Sequence, residues 1–388
     1  MNAHTRRLFA TALAFLTLCL WAASVRSQNE AVRRISATPE HALNLNPTIS
    51  GDGRRIAFES SADLMGAGGR AGFHTFLVDL TEARAAFTYV AATRAPSPAM
   101  SRDGSRLAFA SRENLTGENA DGNSEIFLFT DERLQQITHT SPRDTAARAG
   151  EGNFQPSLSG DGTLLAFASN RNLTGANPDA NLEIFLFDAA TRTTTQLTDT
   201  PPTHDASDAK ISADGTRVAF IREIHGTGGE ASRPRDLMLF ERAANSTRVV
   251  AGDVAGLSFT YGRAISDDGR RVVYSAQTAA RTTQVFLYDG RNEQIRQLTS
   301  LGSRAADVPL HPTISGDGSR VAFATRRNVI GGNSDASVEL YLYDLPTAKF
   351  SRVTDAPASA TAEVVSSLDE DGSLVAFNFP RVLSETIS

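Results

Sequence analysis

One short pattern returns seven times along this chain and constrains its fold more than any other feature. The pattern is Ser or Asp, one free position, Asp-Gly, two free positions, an aliphatic residue, a small residue and an aromatic residue, first seen in residues 50–58. Its aspartates are Asp52, Asp103, Asp161, Asp214, Asp268, Asp317 and Asp371. Because the copies lie 49 to 58 residues apart, the chain is predicted to be one supersecondary unit repeated to its end.

Each unit is predicted to contain four β-strands. The Asp-Gly pair turns the chain between two strands, because glycine adopts a positive φ without steric cost. A third strand, such as Glu125–Phe129, is apolar on both faces, and a fourth, such as Gln135–Thr138, is more polar. A buried third strand and a wetted outer strand are typical of a propeller blade, whereas sandwiches do not repeat one hairpin at this period. The predicted fold is therefore an all-β propeller of seven four-stranded blades, in which the aspartates form the structural turns.

The repeat also sets the predicted boundaries. Blade units start near residues 44, 95, 153, 206, 259, 309 and 363 of a propeller that covers residues 28–388. Residues 31–37 resemble a fourth strand without a preceding blade, so they are predicted to complete the last blade and close the ring. The sequence stops at Ser388, before a third strand of the last unit. Either that blade is incomplete or the sequence is truncated, which leaves six or seven complete blades open.

The repeat resembles a known family. Residues 154–169, followed by Glu183–Asp188 and Gln196–Thr198, resemble the TolB-like, WD-repeat-like β-propeller unit of bacterial envelope proteins. The resemblance implies a rigid periplasmic or secreted interaction scaffold. TolB also carries an α/β domain between its leader and its propeller, whereas the first repeat here begins shortly after the leader. The resemblance therefore implies no role in the Tol-Pal system.

The first 27 residues are predicted to be a signal peptide. Arg6 and Arg7 precede an apolar run over residues 8–23, which is shorter than a bilayer span. Cleavage is predicted after Ser27, with Ser24 as an alternative. The general secretory and twin-arginine routes both remain open. The mature chain is therefore expected to be periplasmic or secreted, without insertion into the membrane.

Composition excludes several classes of protein. The single cysteine, Cys19, lies in the leader, so the mature chain has no disulfide and no thiol chemistry. The net charge of -6 favours neither nucleic acid nor an anionic membrane as a partner. The sequence contains no Gly-x-Ser-x-Gly nucleophile elbow and no His-Glu-x-x-His zinc motif.

Three loops before third strands carry alternating oxygen side chains. Such loops suit calcium, which binds carboxylate and amide oxygens, when the loop also turns its carbonyl groups inward. The candidate ligands are Asp121, Asn123, Glu125, Asp179, Asn181, Glu183, Asp335 and Glu339. The alternative is structural, since Asp and Asn form turns and the glutamate caps a strand.

Three histidines precede first strands: His41, His204 and His311. Loops that enter the innermost strands converge near a propeller channel, so three imidazoles there would be candidate ligands for a transition metal. Oligogalacturonate lyases, which are propellers of similar repeats, have such a histidine-based metal site. The alternative is that these are ordinary surface histidines.

We therefore expect a monomeric, exported propeller that acts as a non-catalytic scaffold for an envelope protein or glycan, without a cofactor unless the calcium loops are occupied. The alternative function is a metal-dependent polysaccharide lyase or hydrolase with its site in the channel. A third alternative is that the chain is the propeller portion of a longer protein.

Overall fold

The computed structural model describes residues 32–36, 38–39, 42–65, 72–81, 86–95, 98–141, 152–225, 233–259, 261–302, 308–356 and 363–379. Thr38–Leu383 forms one compact unit, and the two chain ends form another. The predicted signal peptide lies outside the described residues. Across those ranges, no helix is long and apolar enough to cross a membrane.

The strands follow the predicted order within each repeat. Blade 1 contains β1 (Asn44–Ile49), β2 (Arg55–Ser60), β3 (His74–Asp79) and β4 (Ala86–Ala91). Blade 2 contains β5 (Ala99–Met100), β6 (Arg106–Ser111), β7 (Glu125–Thr130) and β8 (Arg133–Gln136). Blade 3 contains β9 (Asn153–Leu158), β10 (Leu164–Ser169), β11 (Glu183–Asp188) and β12 (Thr193–Gln196). Blade 4 contains β13 (His204–Ile211), β14 (Arg217–Ile224), β15 (Arg235–Glu241) and β16 (Ser246–Ala251).

The remaining repeats are less regular. Blade 5 contains β17 (Arg271–Gln277), β18 (Thr283–Asp289) and β19 (Gln294–Gln297), and two isolated bridges, at Ser258 and Ile265, replace its first strand. Blade 6 contains β20 (Thr313–Ile314), β21 (Arg320–Thr325), β22 (Glu339–Asp344) and β23 (Lys349–Arg352). In the seventh repeat, the described residues form the hairpin of β24 (Ser366–Leu368) and β25 (Val375–Phe377). All sheets are antiparallel, with sequential neighbours paired.

The prediction of a β-propeller is confirmed, and the prediction of seven four-stranded blades is wrong. Six blades are present, and the seventh repeat is a two-stranded hairpin in the described residues. The positions of its third and fourth strands would follow residue 379, outside those residues. The described part of the proposed closing strand, residues 32–36, has no strand assignment, so ring closure by that strand stays a prediction.

The Asp-Gly turns share one hydrogen-bonded structure. In blade 1, the Ser50 hydroxyl donates to Asp52 Oδ1 over 2.6 Å, and the backbone N–H of Arg55 donates to Ser50 Oγ over 3.0 Å. Gly53 has φ = 70°, the left-handed conformation that favours glycine. The same serine-to-aspartate bond recurs at Asp103, Asp161, Asp214, Asp268 and Asp317. The repeated sequence therefore encodes a turn that satisfies its own polar groups.

These turns also form a closed belt. At each turn a backbone N–H donates to a carbonyl of the next turn along the ring. The donor and acceptor pairs are Asp52 to Arg102, Arg102 to Gly160, Gly160 to Ala213, Asp214 to Asp267, Asp267 to Gly316, Gly316 to Asp369, and Glu370 to Gly51, at 2.7 to 3.1 Å. Seven turns thus join the seventh repeat back to blade 1, although only a hairpin of that repeat lies within the described residues.

The core lies between neighbouring blades. Strands 2 and 3 of most blades place two aromatic rings opposite each other, as in Phe167 and Phe185, whose centroids are 5.9 Å apart. Comparable pairs occur in four other blades. Blade 4 has Phe220 opposite Met238 at this position. Burial of these large side chains stabilises each blade against the next.

The seventh turn departs from the others, because Asp369 replaces the serine. Asp369 is 5% exposed and accepts hydrogen bonds from Leu374 N and Ser373 Oγ, both over 3.1 Å. Burial is the main cause that raises the pKa of Asp369. The pKa of Asp369 is higher in the folded than in the unfolded protein. The stability of the wild type therefore falls as the pH rises through the range between these two pKa values.

Asp369→Ser is therefore expected to stabilise the protein by about 1 kcal/mol at pH 7, as consensus substitutions do. The gain should be smaller at an acidic pH, because protonation of the wild-type carboxyl removes its buried negative charge. Urea unfolding at both pH values measures the difference. An equal gain at both would contradict the role assigned to the buried carboxylate.

Candidate functional site at the channel mouth

The first strands of neighbouring blades contact one another, so they surround the central channel. Each Asp-Gly turn lies at one end of a first strand, and the loops that enter these strands lie at the other. The two ends of the channel therefore carry different side chains. We use the name channel mouth for Gln155, Asp208, Lys210, Tyr261, His311 and Glu363, which lie on or beside the first strands ahead of the turns.

The turn end is crossed by an ion pair. Arg102 of blade 2 contacts Asp267 of blade 5 over 2.7 Å and Glu370 of the seventh repeat over 2.9 Å. Arg263 also contacts Asp267 over 2.7 Å. The hydrogen bond to Asp267 is the main cause that raises the pKa of Arg102. Since blades 2 and 5 are not neighbours, the Arg102 side chain crosses the ring and narrows this end of the channel.

The mouth begins with a backbone feature shared by first strands. Asn46, Gln155, Asp208 and His311 lie four residues before the turn serine of their blades, and their φ values are 52°, 51°, 56° and 41°. Gly262 occupies the same position in blade 5 with φ = 92°. Pairing registers shift at this point in blades 1, 3 and 4, as in a β-bulge. Left-handed conformations cost non-glycine residues free energy. They persist at these positions because the surrounding structure holds the backbone in place.

Side-chain contacts link the mouth across five consecutive repeats. Gln155 Oε1 accepts the backbone N–H of Asp208 over 3.0 Å. Lys210 Nζ donates to the carbonyl of Gly262 over 3.3 Å. The ring of the neighbouring Tyr261 lies 5.6 Å from that of His311. His311 Nε2 in turn contacts Glu363 Oε1 of the seventh repeat.

The charges at the mouth are held in protein surroundings. Asp208 and Lys210 are half-buried and lie among first strands. Burial raises the pKa of the Asp208 carboxyl, and the charges of Lys210 and Arg235 oppose that rise. Burial likewise lowers the pKa of the Lys210 ammonium, against the attraction of Asp208. The mouth therefore offers an amine, a carboxyl, an amide and an imidazole, and burial shifts the pKa of the amine and of the carboxyl.

The predicted histidine site is only partly brought together. His311 lies at the mouth, whereas His204 begins β13 and its Nδ1 contacts Thr203 Oγ1 over 3.0 Å. His41 lies outside the described residues. Where the structure describes the chain, no three His, Cys, Asp or Glu side chains are grouped as metal ligands.

One mouth residue, Lys210, could have been singled out from the sequence. Lys210 is one of two lysines among 38 basic residues. It also stands two residues before the turn serine, where the other first strands have Thr, Ala or Ser. Its neighbour Asp208 resembles an ordinary polar loop residue in the sequence. The structure shows that it belongs to β13. A charged pair within an innermost strand was the signal that sequence reasoning missed.

The predicted calcium loops form hydrogen-bonded cages. The buried carboxylate of Glu183 accepts bonds from Asn181 Nδ2 over 3.0 Å, from Thr200 N over 2.7 Å and from Thr200 Oγ1 over 2.6 Å, and Thr198 Oγ1 donates to its second oxygen. Glu125 and Glu339 are enclosed in the same way. Burial is the main cause that raises the pKa of Glu125. Such N–H and O–H donors suit an anion and satisfy these carboxylates without a cation.

The other loop residues add few calcium ligands. Asp179 and Asp335 are exposed, and Asp121 is half-buried. The amide oxygens of Asn119 and Asn123 in one loop, and of Asn177 and Asn181 in the next, are buried and accept no hydrogen bond from the described residues. Two neutral amide oxygens in a loop fall short of the six to eight oxygen ligands that calcium takes. These cages fit the structural alternative better than the calcium site.

Calcium and chelator are accordingly expected to leave the thermal unfolding midpoint unchanged. A cation that bound only the folded state would raise this midpoint, and would raise it further at higher concentration. Differential scanning calorimetry with millimolar calcium and with EDTA measures it. An increase with calcium that Asn181→Ala abolishes would restore the calcium site.

The sequence matches no family model and no curated protein. Among solved structures, the chain is similar to the β-propeller domain of the trilobed protease from Pyrococcus furiosus, with 14% identity and a TM-score of 0.54 over 90% of this chain and 99% of that one. It is also similar to an oligogalacturonate lyase in complex with manganese, with 16% identity and a TM-score of 0.51 over 71% and 68% of the two chains. TolB from Acinetobacter baumannii has 19% identity and a TM-score of 0.48 over 78% of this chain and 63% of its own.

These similarities concern the fold. The chain spans 63% of the TolB chain and 68% of the lyase chain. At such identities the likeness to the protease propeller and the lyase confirms the predicted β-propeller as an architecture, and function must be argued from the site.

Proposed function

We propose that this protein is an exported β-propeller that binds a protein or glycan of the cell envelope at its channel mouth, without catalysing a reaction. The observation that supports the proposal is the chain of contacts from Gln155 to Glu363, which places donors, acceptors and both signs of charge on one rigid ring. Export and the periplasmic or secreted location rest on the predicted leader.

The scaffold suits binding for two reasons. The closed belt of turns holds the first strands in fixed positions, so the site loses little conformational entropy when a partner binds. The Arg102 ion pair narrows the turn end, so the mouth is the accessible entrance for a chain segment or a saccharide. Asp208 and Lys210 would exchange their mutual attraction for charge-assisted hydrogen bonds to the partner.

The experiment compares two variants of the mature protein with the same change of charged groups. Asp208→Asn with Lys210→Met alters the mouth, and Asp355→Asn with Lys349→Met alters exposed residues on the outer side of blade 6. Each protein is applied to a glycan array and cross-linked to an envelope extract. Binding of the retained partner is expected to fall about tenfold in the mouth variant alone. No specific binding, or equal loss in both variants, would contradict the proposal.

The second candidate is a metal-dependent polysaccharide lyase or hydrolase. His311, Glu363 and the fold shared with a manganese-containing lyase favour it over other enzymes. Metal content after purification without chelator tests it. Stoichiometric manganese that His311→Ala removes would support the enzyme, and metal-free protein that binds its partner would support the scaffold.

A further inference from the structure

A cavity of 370 Å³ lies between blades 4 and 5, on the side of the molecule that carries the Asp-Gly turns. We call it the rim cavity. Its charged lining consists of Arg217, Arg248, Arg270 and Arg291 against the single carboxylate of Glu241. It shares no residue with the channel mouth, and the proposed function does not use it.

The Glu241 carboxylate lies beyond full hydrogen-bond distance of the guanidinium groups. Glu241 Oε1 lies 3.5 Å from Arg217 Nε and 3.9 Å from Arg248 Nε. Arg270 has its nearest carboxylate, Asp268, at 3.9 Å. Asp289, just outside the cavity, holds Arg291 over 3.1 Å. These separations leave N–H donors of Arg217, Arg248 and Arg270 available, because only distances near 3 Å make full hydrogen bonds.

Two of the arginines are held in place. Arg248 donates to the hydroxyl of Tyr288, and its guanidinium carbon lies 5.5 Å from the centre of that ring. Tyr288 is 2% exposed, so it provides a fixed support. Arg217 Nη1 donates to the carbonyl of Asp268 over 3.0 Å. Arginines fixed in this way lose less side-chain entropy when they bind an anion.

The neighbouring groove, between blades 5 and 6, has the same arginine and tyrosine but is filled. Arg296 lies 5.7 Å from the ring of Tyr343. Phe350 packs on Tyr343 with ring centroids 4.5 Å apart, where blade 5 has Ile295 opposite Tyr288. Leu345 follows the third strand of blade 6, whereas Gly290 holds that position in blade 5. The rim cavity therefore lacks the phenyl ring and the leucine side chain that the neighbouring groove contains.

We propose that the rim cavity binds a compact oxyanion with two or more negative charges, either free phosphate or pyrophosphate or the phosphate group of an ester. Guanidinium groups recognise such oxygens through paired hydrogen bonds. The cavity lies in the size range of small-molecule sites. Glu241 opposes this binding, so it tunes the affinity of the cavity downward.

Isothermal titration calorimetry at low salt tests the proposal with inorganic phosphate, pyrophosphate and glycerol 3-phosphate, and with glycerol as the uncharged control. Arg248→Ala and Arg270→Ala are each expected to weaken binding about tenfold or more. Arg296→Ala, the matched change in the filled groove, should leave it unchanged. Glu241→Gln should tighten binding, a gain that a purely structural role would not give.

The probes distinguish the sources of the anion. Tighter binding of glycerol 3-phosphate assigns the cavity to phosphate esters, and tighter binding of pyrophosphate or phosphate assigns it to the free ions. Arg270 is more than half exposed, so its variant keeps the test valid if Arg248→Ala fails to fold. No binding of any probe at millimolar concentration, or an equal loss in Arg296→Ala, would overturn the proposal.

Discussion

Phe185→Ala is expected to lower the free energy of unfolding by about 3–5 kcal/mol. Phe185 is fully buried in β11 and stacks on Phe167 with an angle of 23° between the rings. Removing it creates a cavity between two blades whose backbones are fixed by the turn belt and can relax little. Chemical denaturation followed by far-ultraviolet circular dichroism measures the loss.

Blade 4 supplies the control for this prediction. Met238 occupies the position of Phe185 and pairs with Phe220, and it is 4% exposed. Phe185→Met should therefore cost less than about 1.5 kcal/mol, because methionine fills an irregular space and an accepted pairing already exists in this chain. If the methionine and alanine variants lost equal stability, the cavity would not be the cause.

Glu183→Ala is expected to cost about 3 kcal/mol, because four donors lose their acceptor within the blade. These donors are Asn181 Nδ2, Thr198 Oγ1, Thr200 N and Thr200 Oγ1. The cage also stands beside the contact between blades 3 and 4, where Leu182 N donates to Asp205 Oδ1 over 2.8 Å. The same denaturation experiment measures the effect.

Blade 5 supplies the control here. Gln284 takes the place of the glutamate, and its Oε1 accepts bonds from Thr299 Oγ1 and Leu301 N, both over 2.8 Å. Glu183→Gln should therefore cost only about 1 kcal/mol, since an amide oxygen satisfies the two principal donors. A glutamine variant as unstable as the alanine variant would show that the negative charge, and not acceptor geometry, stabilises the cage.

The repeat predicted most of the architecture because the residues that form each turn lie close together in the sequence of one unit. The Ser-x-Asp-Gly turn is satisfied by residues at most five positions apart, so its geometry can be deduced from one copy. The third and fourth strands likewise appear where their patterns predict them. What failed was the inference from seven turns to seven four-stranded blades, because the described part of the seventh repeat, Ser366–Leu368 and Val375–Phe377, is a hairpin that closes the belt.

The candidate site was less predictable because its contacts join residues about 50 positions apart. Gln155 and Asp208 become neighbours only when blades 3 and 4 lie side by side in the ring. His311 was predicted near the channel as one of three metal ligands, and in the described residues it contacts Glu363. The calcium prediction was drawn from the oxygen side chains of the loops and did not include the threonines that donate to the glutamates.

Selective labelling of Lys210 tests the central claim most directly. Only Lys210 and Lys349 carry lysine amines, and burial lowers the pKa of the Lys210 ammonium against the attraction of Asp208. Lys349 is exposed on β23, away from the channel, and serves as the internal control. The mature protein is acetylated with and without the partner recovered from the envelope extract, and both sites are quantified by mass spectrometry.

The account predicts that the partner protects Lys210 while Lys349 is labelled as before. Equal labelling of Lys210 with and without bound partner would show that the partner binds elsewhere, and would contradict the channel mouth as the functional site.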